Sequence, residues 1–423
     1  MLDIKLIRDE PERVRAALAR RGIEPPIDEV LKADGERRAC QARIDELRAE
    51  QKRAGKDVAR LAGGEKQALL DKLKGLSDEI AALGEREAGH AAELRRLLLQ
   101  IPNLPYDGAP EGASDEDNVE LRTWGTPPAF DFEPKDHLDL GTALGMIDVE
   151  RAARTSGSRF AYLTGHGALL WQALVRFAFD VLQAEGFVPV APPVLVRREA
   201  MEGTGFLPTD EQQIYKTADD DLYLVGTSEV PLAALHMDEL LDPGALPIRY
   251  AGVSSCFRRE AGTHGRDTRG IFRTHQFEKV EMFVFADPAV SWDEHDRLIA
   301  IEERILRDLE LPYRAVDVCT GELGAPAARK VDLEAWFPGQ GRYREVTSCS
   351  NTTDYQARRL DCRIRSASGT APVHTLNGTA VTSSRHVAAI LENHQRADGS
   401  VLLPDALRGY VTGDGAYLPH AGA

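Results

Sequence analysis

Five arginines, Arg258, Arg259, Arg266, Arg269 and Arg273, fall within sixteen residues of a 423-residue chain whose net charge is −16. Guanidinium groups gathered against the overall charge face a polyanion, because their planar fork matches phosphate and carboxylate. Glu260 stands inside the cluster, and Glu281 stands with Lys279 within the alternating run (Phe277, Val280, Met282, Phe283) that follows it. Gly262, Gly265 and Gly270 break the middle. Residues 257–283 therefore read as two strands joined by a flexible basic loop, an anion site rather than a solvated hairpin with scattered ion pairs.

Three more segments end in polar residues where ligand sites commonly lie. LYLVGTSE (222–229) is a buried-type strand closing on Thr227, Ser228 and Glu229, and a hydroxyl at 227 or 228 also suits a helix N-cap. YREVTSCSN (343–351) is a second such strand, with Glu345, Val346, Thr347 and Ser348 near its middle. In 374–395 a strand is followed by a turn at Asn377-Gly378-Thr379 and by a helix that Arg385 opens. Taken alone, Arg385 reads as a surface salt bridge.

These segments need a scaffold. Ahead of Phe187–Val196, a strand read as an edge because it carries Pro189, Pro192 and Pro193, runs an apolar helix, 166–186. Residues 28–100 differ from the rest. One series, Val30, Ala33, Cys40, Ile44, Leu47, Ala54, Val58, Leu61, keeps steps of three and four, with Arg37 and Gln51 in the missing places. A second runs Leu69, Leu73, Leu76, Ile80, Leu83, Leu94, Leu97, Ile101, with Glu87 and His90 in the gap. Ala62-Gly63-Gly64 signals the turn between them. Two helices of about 50 Å form a hairpin arm too long to fold into a compact core. The arm balances 15 basic against 15 acidic residues, so the excess negative charge lies elsewhere. Periodicity alone leaves open a dimerising coiled coil or a rod that meets a phosphate backbone. The Pro/Gly/Asp-rich residues 103–118 read as a linker between domains 1–102 and 119–423.

No apolar run reaches membrane-spanning length, and the N-terminus lacks a signal-peptide core, so a cytoplasmic protein is expected. Five scattered cysteines without a CxxC pair argue against a disulfide framework and against zinc.

The stretch FRREAG…GRDTRG…HQFEKVEM resembles motif 2 of the class II aminoacyl-tRNA synthetases in its seryl-tRNA synthetase form. Pro193 is similar to the motif 1 proline, Thr227-Ser228-Glu229 to the family's TxE loop, and 374–395 to motif 3, although TAVTSS departs from the usual glycine-containing version and Arg259 stands where a small residue is common. The resemblance implies an α+β fold with a mostly antiparallel sheet flanked by helices, a homodimer formed through motif 1, and an arm that grips tRNA(Ser). It implies L-serine and ATP as substrates with Mg²⁺. Serine would be bound by Thr227, Ser228, Glu229, Arg258, Glu281 and Thr379. ATP would be bound by Arg258, Arg259, Glu260, Arg269, Thr274, Phe277, Glu345, Val346, Thr347, Ser348 and Arg385, with Arg266 reaching the outer phosphates or the tRNA end. Arg258 and Arg385 would be catalytic, and Glu345 with Ser348 would hold the metal. A serine–tRNA ligase is the implied activity, with tRNA(Sec) a further acceptor to consider. A specialised paralogue, a ligase for a non-tRNA acceptor and an inactive coiled-coil adaptor are the alternatives.

Overall fold

The computed structural model describes residues 1–262, 269–366, 369–411 and 417–418. Gly265 and Arg266 lie outside the described residues. The chain divides into two compact units: residues 2–19 with 23–102, and Met1 with 20–22 and 103–423.

In the first unit two short helices, Ile4–Asp9 and Pro11–Ala19, precede the long helices α1 (Ile27–Gly55) and α2 (Gly63–Gln100). The heptad positions form the seam: Val30, Ala33, Cys40, Ile44, Leu47, Leu76, Leu94 and Leu97 are buried. Ion pairs join Arg37 to Glu87 (3.5 Å), Arg43 to Glu79 (3.1 Å) and Glu50 to Lys72 (2.8 Å), so numbers rise on α1 as they fall on α2 and the helices are antiparallel. The polar breaks in the pattern are thereby explained. Arg37 and Glu87 meet each other, Gln51 donates to Ser77 Oγ at 2.7 Å, and His90 faces Glu36 at 3.2 Å. The seam is filled within one chain. The reversal comes earlier than the glycine pair signals. α1 stops at Gly55, a 3-10 turn occupies Val58–Arg60, and Gly63 already opens α2. Gly55, exposed beside the seam position Ala54, carries a high helix cost.

The second unit is built on eight strands: β1 (Val119–Trp124), β2 (Val188–Val190), β3 (Ile248–Phe257), β4 (Gln276–Ala286), β5 (Tyr313–Asp317), β6 (Arg329–Phe337), β7 (Arg342–Asn351) and β8 (His374–Thr382). Their order is β1-β5-β6-β7-β8-β4-β3-β2, antiparallel throughout except where β2 joins β3. The apolar faces of α3 (His166–Ala184), α5 (Ser291–Asp308) and α6 (Arg385–Asn393) cover one face, where Leu174, Phe177, Leu298, Ile305 and Leu391 meet Val280, Met282, Leu333 and Leu376.

Two expectations about this sheet are corrected. The strand expected over 187–196 is two short ones, β2 and Leu195–Arg197, the latter paired with Leu222–Leu224. Pro192 and Pro193 have no N–H to donate, so the ladder breaks there; β2 does lie at the sheet edge. Asn377-Gly378-Thr379 is no turn but the middle of β8. A Cβ on Gly378 would meet Glu302 Oε1 at 2.8 Å and Met282 Cε at 3.1 Å, so this glycine serves close packing instead.

Candidate active site

A cavity of about 460 Å³ opens on the sheet face turned away from α5. Strand periodicity explains its lining on β4, where Phe277, Lys279 and Glu281 alternate with the core residues Val280 and Met282. On β8 the lining begins at Asn377 and Thr379 but continues at Thr382. The register slips between Val280↔Val381 and Glu281↔Thr379, leaving Ala380 as a bulge that moves the following side chains to the other parity. A second slip, between Leu333↔Thr347 and Glu334↔Glu345, makes Val346 a bulge on β7. It brings Glu345 and Ser348, three residues apart, to the same cavity wall.

One end of the cavity is carboxylate-rich. Thr227 Oγ1 accepts from Glu229 N at 3.2 Å ahead of α4 (Glu229–Ala234), whose N-cap residue is Ser228 without a side-chain cap. Glu229 Oε1 accepts from Gln356 Nε2 at 2.7 Å and Asn377 Nδ2 at 3.1 Å. Glu281 Oε2 pairs with Lys279 Nζ at 2.5 Å and accepts from Thr379 Oγ1 at 3.4 Å.

Burial, followed by the charge of Glu281, lifts the Glu229 carboxyl to about 7. A carboxyl raised in the folded state stabilises the protein at low pH, and that contribution is lost as pH climbs from the ordinary 4.5 towards 7. Glu229→Gln is therefore expected to gain melting temperature relative to the wild type across that window. Melting curves between pH 4.5 and 8 check this; a difference that stays constant with pH contradicts it.

The other end is cationic and aromatic. Arg258 donates from Nε to Gly226 O at 3.2 Å, and its guanidinium lies 5.2 Å from the Phe277 ring centre. Glu260, at φ +49° in the left-handed region, accepts from Arg273 Nη1 at 2.6 Å. Thr274 lines the cavity and donates to Gln276 O at 2.9 Å. Arg385 projects from the first turn of α6 over Phe272, 5.0 Å from the ring centre, and donates to Glu345 Oε1 at 2.8 Å. Burial raises the Glu345 carboxyl, but Arg385, Lys330 and Arg258 outweigh it and hold the group well below the usual carboxylate range.

The structure thus gathers Thr227, Glu229, Arg258, Glu260, Thr274, Phe277, Glu281, Glu345, Val346, Ser348, Thr379 and Arg385 around one cavity. Four residues of the sequence reading do not line it. Ser228 is buried, with Oγ bonded to Ser254 Oγ at 2.8 Å. Thr347 donates to Glu302 at 2.7 Å on the opposite face of the sheet. Arg259 is exposed and stacks 5.7 Å from the Tyr215 ring centre. Arg269 is exposed and pairs with Asp136 at 3.1 Å and with Asp139. The sequence reading in turn missed Phe272, Lys330 and Asn377 as lining and gave Lys279 no role. Two-residue spacing from Phe277 and Glu281 was the available signal for Lys279.

Glu345 and Ser348 offer a carboxylate and a hydroxyl to the cavity, and among the described residues no group of three or more His, Cys, Asp or Glu is placed to hold a metal ion. Such a set suits a hard cation whose remaining oxygens come from a bound phosphate chain. No helix among the described residues is long and apolar enough to cross a membrane.

Comparison with known proteins places this geometry in context. Residues 213–394 match the tRNA synthetase class II core domain (G, H, P, S and T), and residues 1–105 match the seryl-tRNA synthetase N-terminal domain. The chain is 56% identical over 415 residues to the serine–tRNA ligase of Acidothermus cellulolyticus, covering 98% of this chain and 99% of that one. It is 53% identical over 418 residues to the serine–tRNA ligase of Streptomyces coelicolor, covering 98% of each. Among solved structures it is similar to seryl-tRNA synthetase from Pyrococcus horikoshii complexed with ATP, at TM-score 0.92 and 42% identity over 100% of both chains.

Proposed function

This chain belongs to the seryl-tRNA synthetase family, and from that premise we infer that it is a serine–tRNA ligase: it activates L-serine with ATP and transfers the seryl group to tRNA(Ser). One observation carries the reading: a buried carboxylate–hydroxyl pair, Glu281 and Thr379, shares a cavity with Glu229 and with Arg258 and Arg385.

Serine binds with its ammonium group on Thr227 and Glu229, since an ammonium offers three donors and accepts nothing. Its hydroxyl lies between Glu281 and Thr379, and its carboxylate on Arg258. Adenine lies on Phe277 with its amino group on Glu260. Arg385 takes the outer phosphates. Glu345 and Ser348 would hold Mg²⁺, which when bound neutralises phosphate charge. The serine carboxylate oxygen attacks the α-phosphorus in line, that bond forming as the bond to pyrophosphate breaks. The terminal ribose hydroxyl of tRNA then attacks the seryl carbonyl and AMP leaves. Positioning and charge neutralisation account for such chemistry, and no side chain need act as a nucleophile.

The arm meets the tRNA through shape and backbone, as A-form RNA requires. Two catalytic units pair through α3 and the edge strand β2, where Val188 remains 55% exposed in the single chain. The enzyme works in the cytoplasm.

Specificity supplies the test. Alanine would leave the hydroxyl contacts of Glu281 and Thr379 unmade, and sites built to bond a hydroxyl reject the analogue lacking it by roughly 10⁴-fold. ATP–pyrophosphate exchange measured with each amino acid is expected to run with serine and to fall by about that factor with alanine. Equal exchange with both amino acids would overturn the assignment of the pocket.

A further inference from the structure

Behind the cavity, on the face covered by α5, sits a carboxyl group that the reaction above does not use. Glu302 is 0% exposed. Its Oε2 accepts from Thr347 Oγ1 at 2.7 Å, the Thr379 backbone amide acts on the same carboxyl, and Oε1 has no hydrogen bond of ordinary geometry.

The place of these contacts in the sheet matters. β7 and β8 are paired only at Cys349↔Gly378, Ser350↔Asn377 and Asn351↔Leu376. Beyond Gly378 and Cys349 the two strands part, β7 towards Glu345 and β8 towards Thr382. Each carries its bulge in the parted segment, Val346 on one and Ala380 on the other. Thr347 and Thr379 are the residues next to those bulges, and Glu302 reaches both. Gly378 makes the approach possible, since a Cβ there would come within 2.8 Å of Glu302 Oε1.

We propose that Glu302 is a positioning residue which bridges the fork between β7 and β8 from behind, fixing the two bulges that turn Glu345 and Ser348, and Thr379 and Thr382, into the cavity. The proposal rests on the serine and ATP reading of that cavity. Where the ladder stops, no backbone hydrogen bond between the two strands sets their spacing, and a buried side chain hydrogen-bonded to Thr347 on one and lying against Gly378 on the other takes over that role. Burial pushes this carboxyl well above the usual range, with Glu281 and Asp332 adding to the effect and the Thr347 hydrogen bond opposing it. The neutral acid has one donor and one acceptor, which glutamine reproduces in nearly the same shape.

The test compares Glu302→Gln and Glu302→Leu in the full-length protein by serine-dependent pyrophosphate exchange, with melting temperatures alongside. Displacing reacting groups by about 1 Å can cost on the order of 100-fold, so Glu302→Leu is expected to raise KM for both serine and ATP by about tenfold or more. Glu302→Gln is expected to stay within about twofold of the wild type. A Leu variant with both KM values unchanged, or a Gln variant as impaired as the Leu one, overturns the proposal. Should Glu302→Leu not fold, Thr347→Val carries the test: a raised ATP KM at an unchanged melting temperature supports the bridge, and an unchanged KM overturns it. Absence of exchange in the wild-type protein would instead be a failure of the serine and ATP reading itself.

Discussion

Replacing Arg385 by alanine is expected to lower serine-dependent ATP–pyrophosphate exchange by about 10³-fold or more, the scale on which a single transition-state cation acts in phosphoryl transfer. The guanidinium is held at one point by Glu345 (2.8 Å) and lies over Phe272, so it meets a developing phosphate charge without reorganising. Arg258 is expected to behave alike. Its Nε is fixed by Gly226 O, which leaves its remaining donors for the carboxylate and α-phosphate together. Lysine at 385 keeps the charge but loses the planar stack and fork, so it should recover only part of the loss. Neither position belongs to the apolar core, and folding should survive both changes. Single-turnover exchange with Arg385→Ala and Arg385→Lys measures the effect; a loss of less than about tenfold in the alanine variant would remove Arg385 from the catalytic role.

The second large effect concerns the arm. Removing residues 41–82 and rejoining the helices through a glycine-rich turn takes away Arg43, Arg48, Lys52, Arg53, Lys56 and Arg60 with the outer heptads. The seam is a series of local cross-helix contacts, so the inner heptads keep theirs. Serine activation should then stay within about twofold of the full-length protein, since no cavity residue is touched. Serylation of tRNA should fall on the order of 100-fold or more if, as proposed, these basic residues meet the tRNA backbone, since several phosphate contacts would be lost at once. The full-length enzyme should also show the steeper decline of tRNA affinity with salt. An arm-shortened protein that serylates normally would assign the arm another partner.

The arm was legible because a heptad is a local pattern. Even its interruptions had meaning, since Arg37 and Glu87 break the two series where they face each other. The cationic wall was legible because arginines clustered in an acidic chain repel one another unless an anion lies between them. The bulges were not. Nothing in TAVTSS or REVTS announces that Ala380 and Val346 are extra residues, yet they decide which side chains reach the cavity. Thr347 and Ser228 read as ligands because they sit beside ligands in the chain, whereas the pleat of β7 sends Thr347 to the opposite side and Ser228, at the start of α4, turns to Ser254. Arg259 and Arg269 count towards a phosphate site by proximity, but they stack on Tyr215 and pair with Asp136. Glu302 carries no signal at all in a helix that reads as ordinary amphipathic packing. Its neighbours Thr347 and Gly378 are brought to it only by the fold.

One chain, on this assignment, both activates serine and delivers it to tRNA. Charging of unfractionated tRNA with labelled serine, resolved on acid gels and probed for individual tRNAs, tests it most directly. Label confined to serine-accepting tRNAs with a long variable arm, dependent on both ATP and Mg²⁺, is the predicted result. Robust serine-dependent pyrophosphate exchange with no label on any tRNA would contradict it and point to a different acceptor for the activated serine.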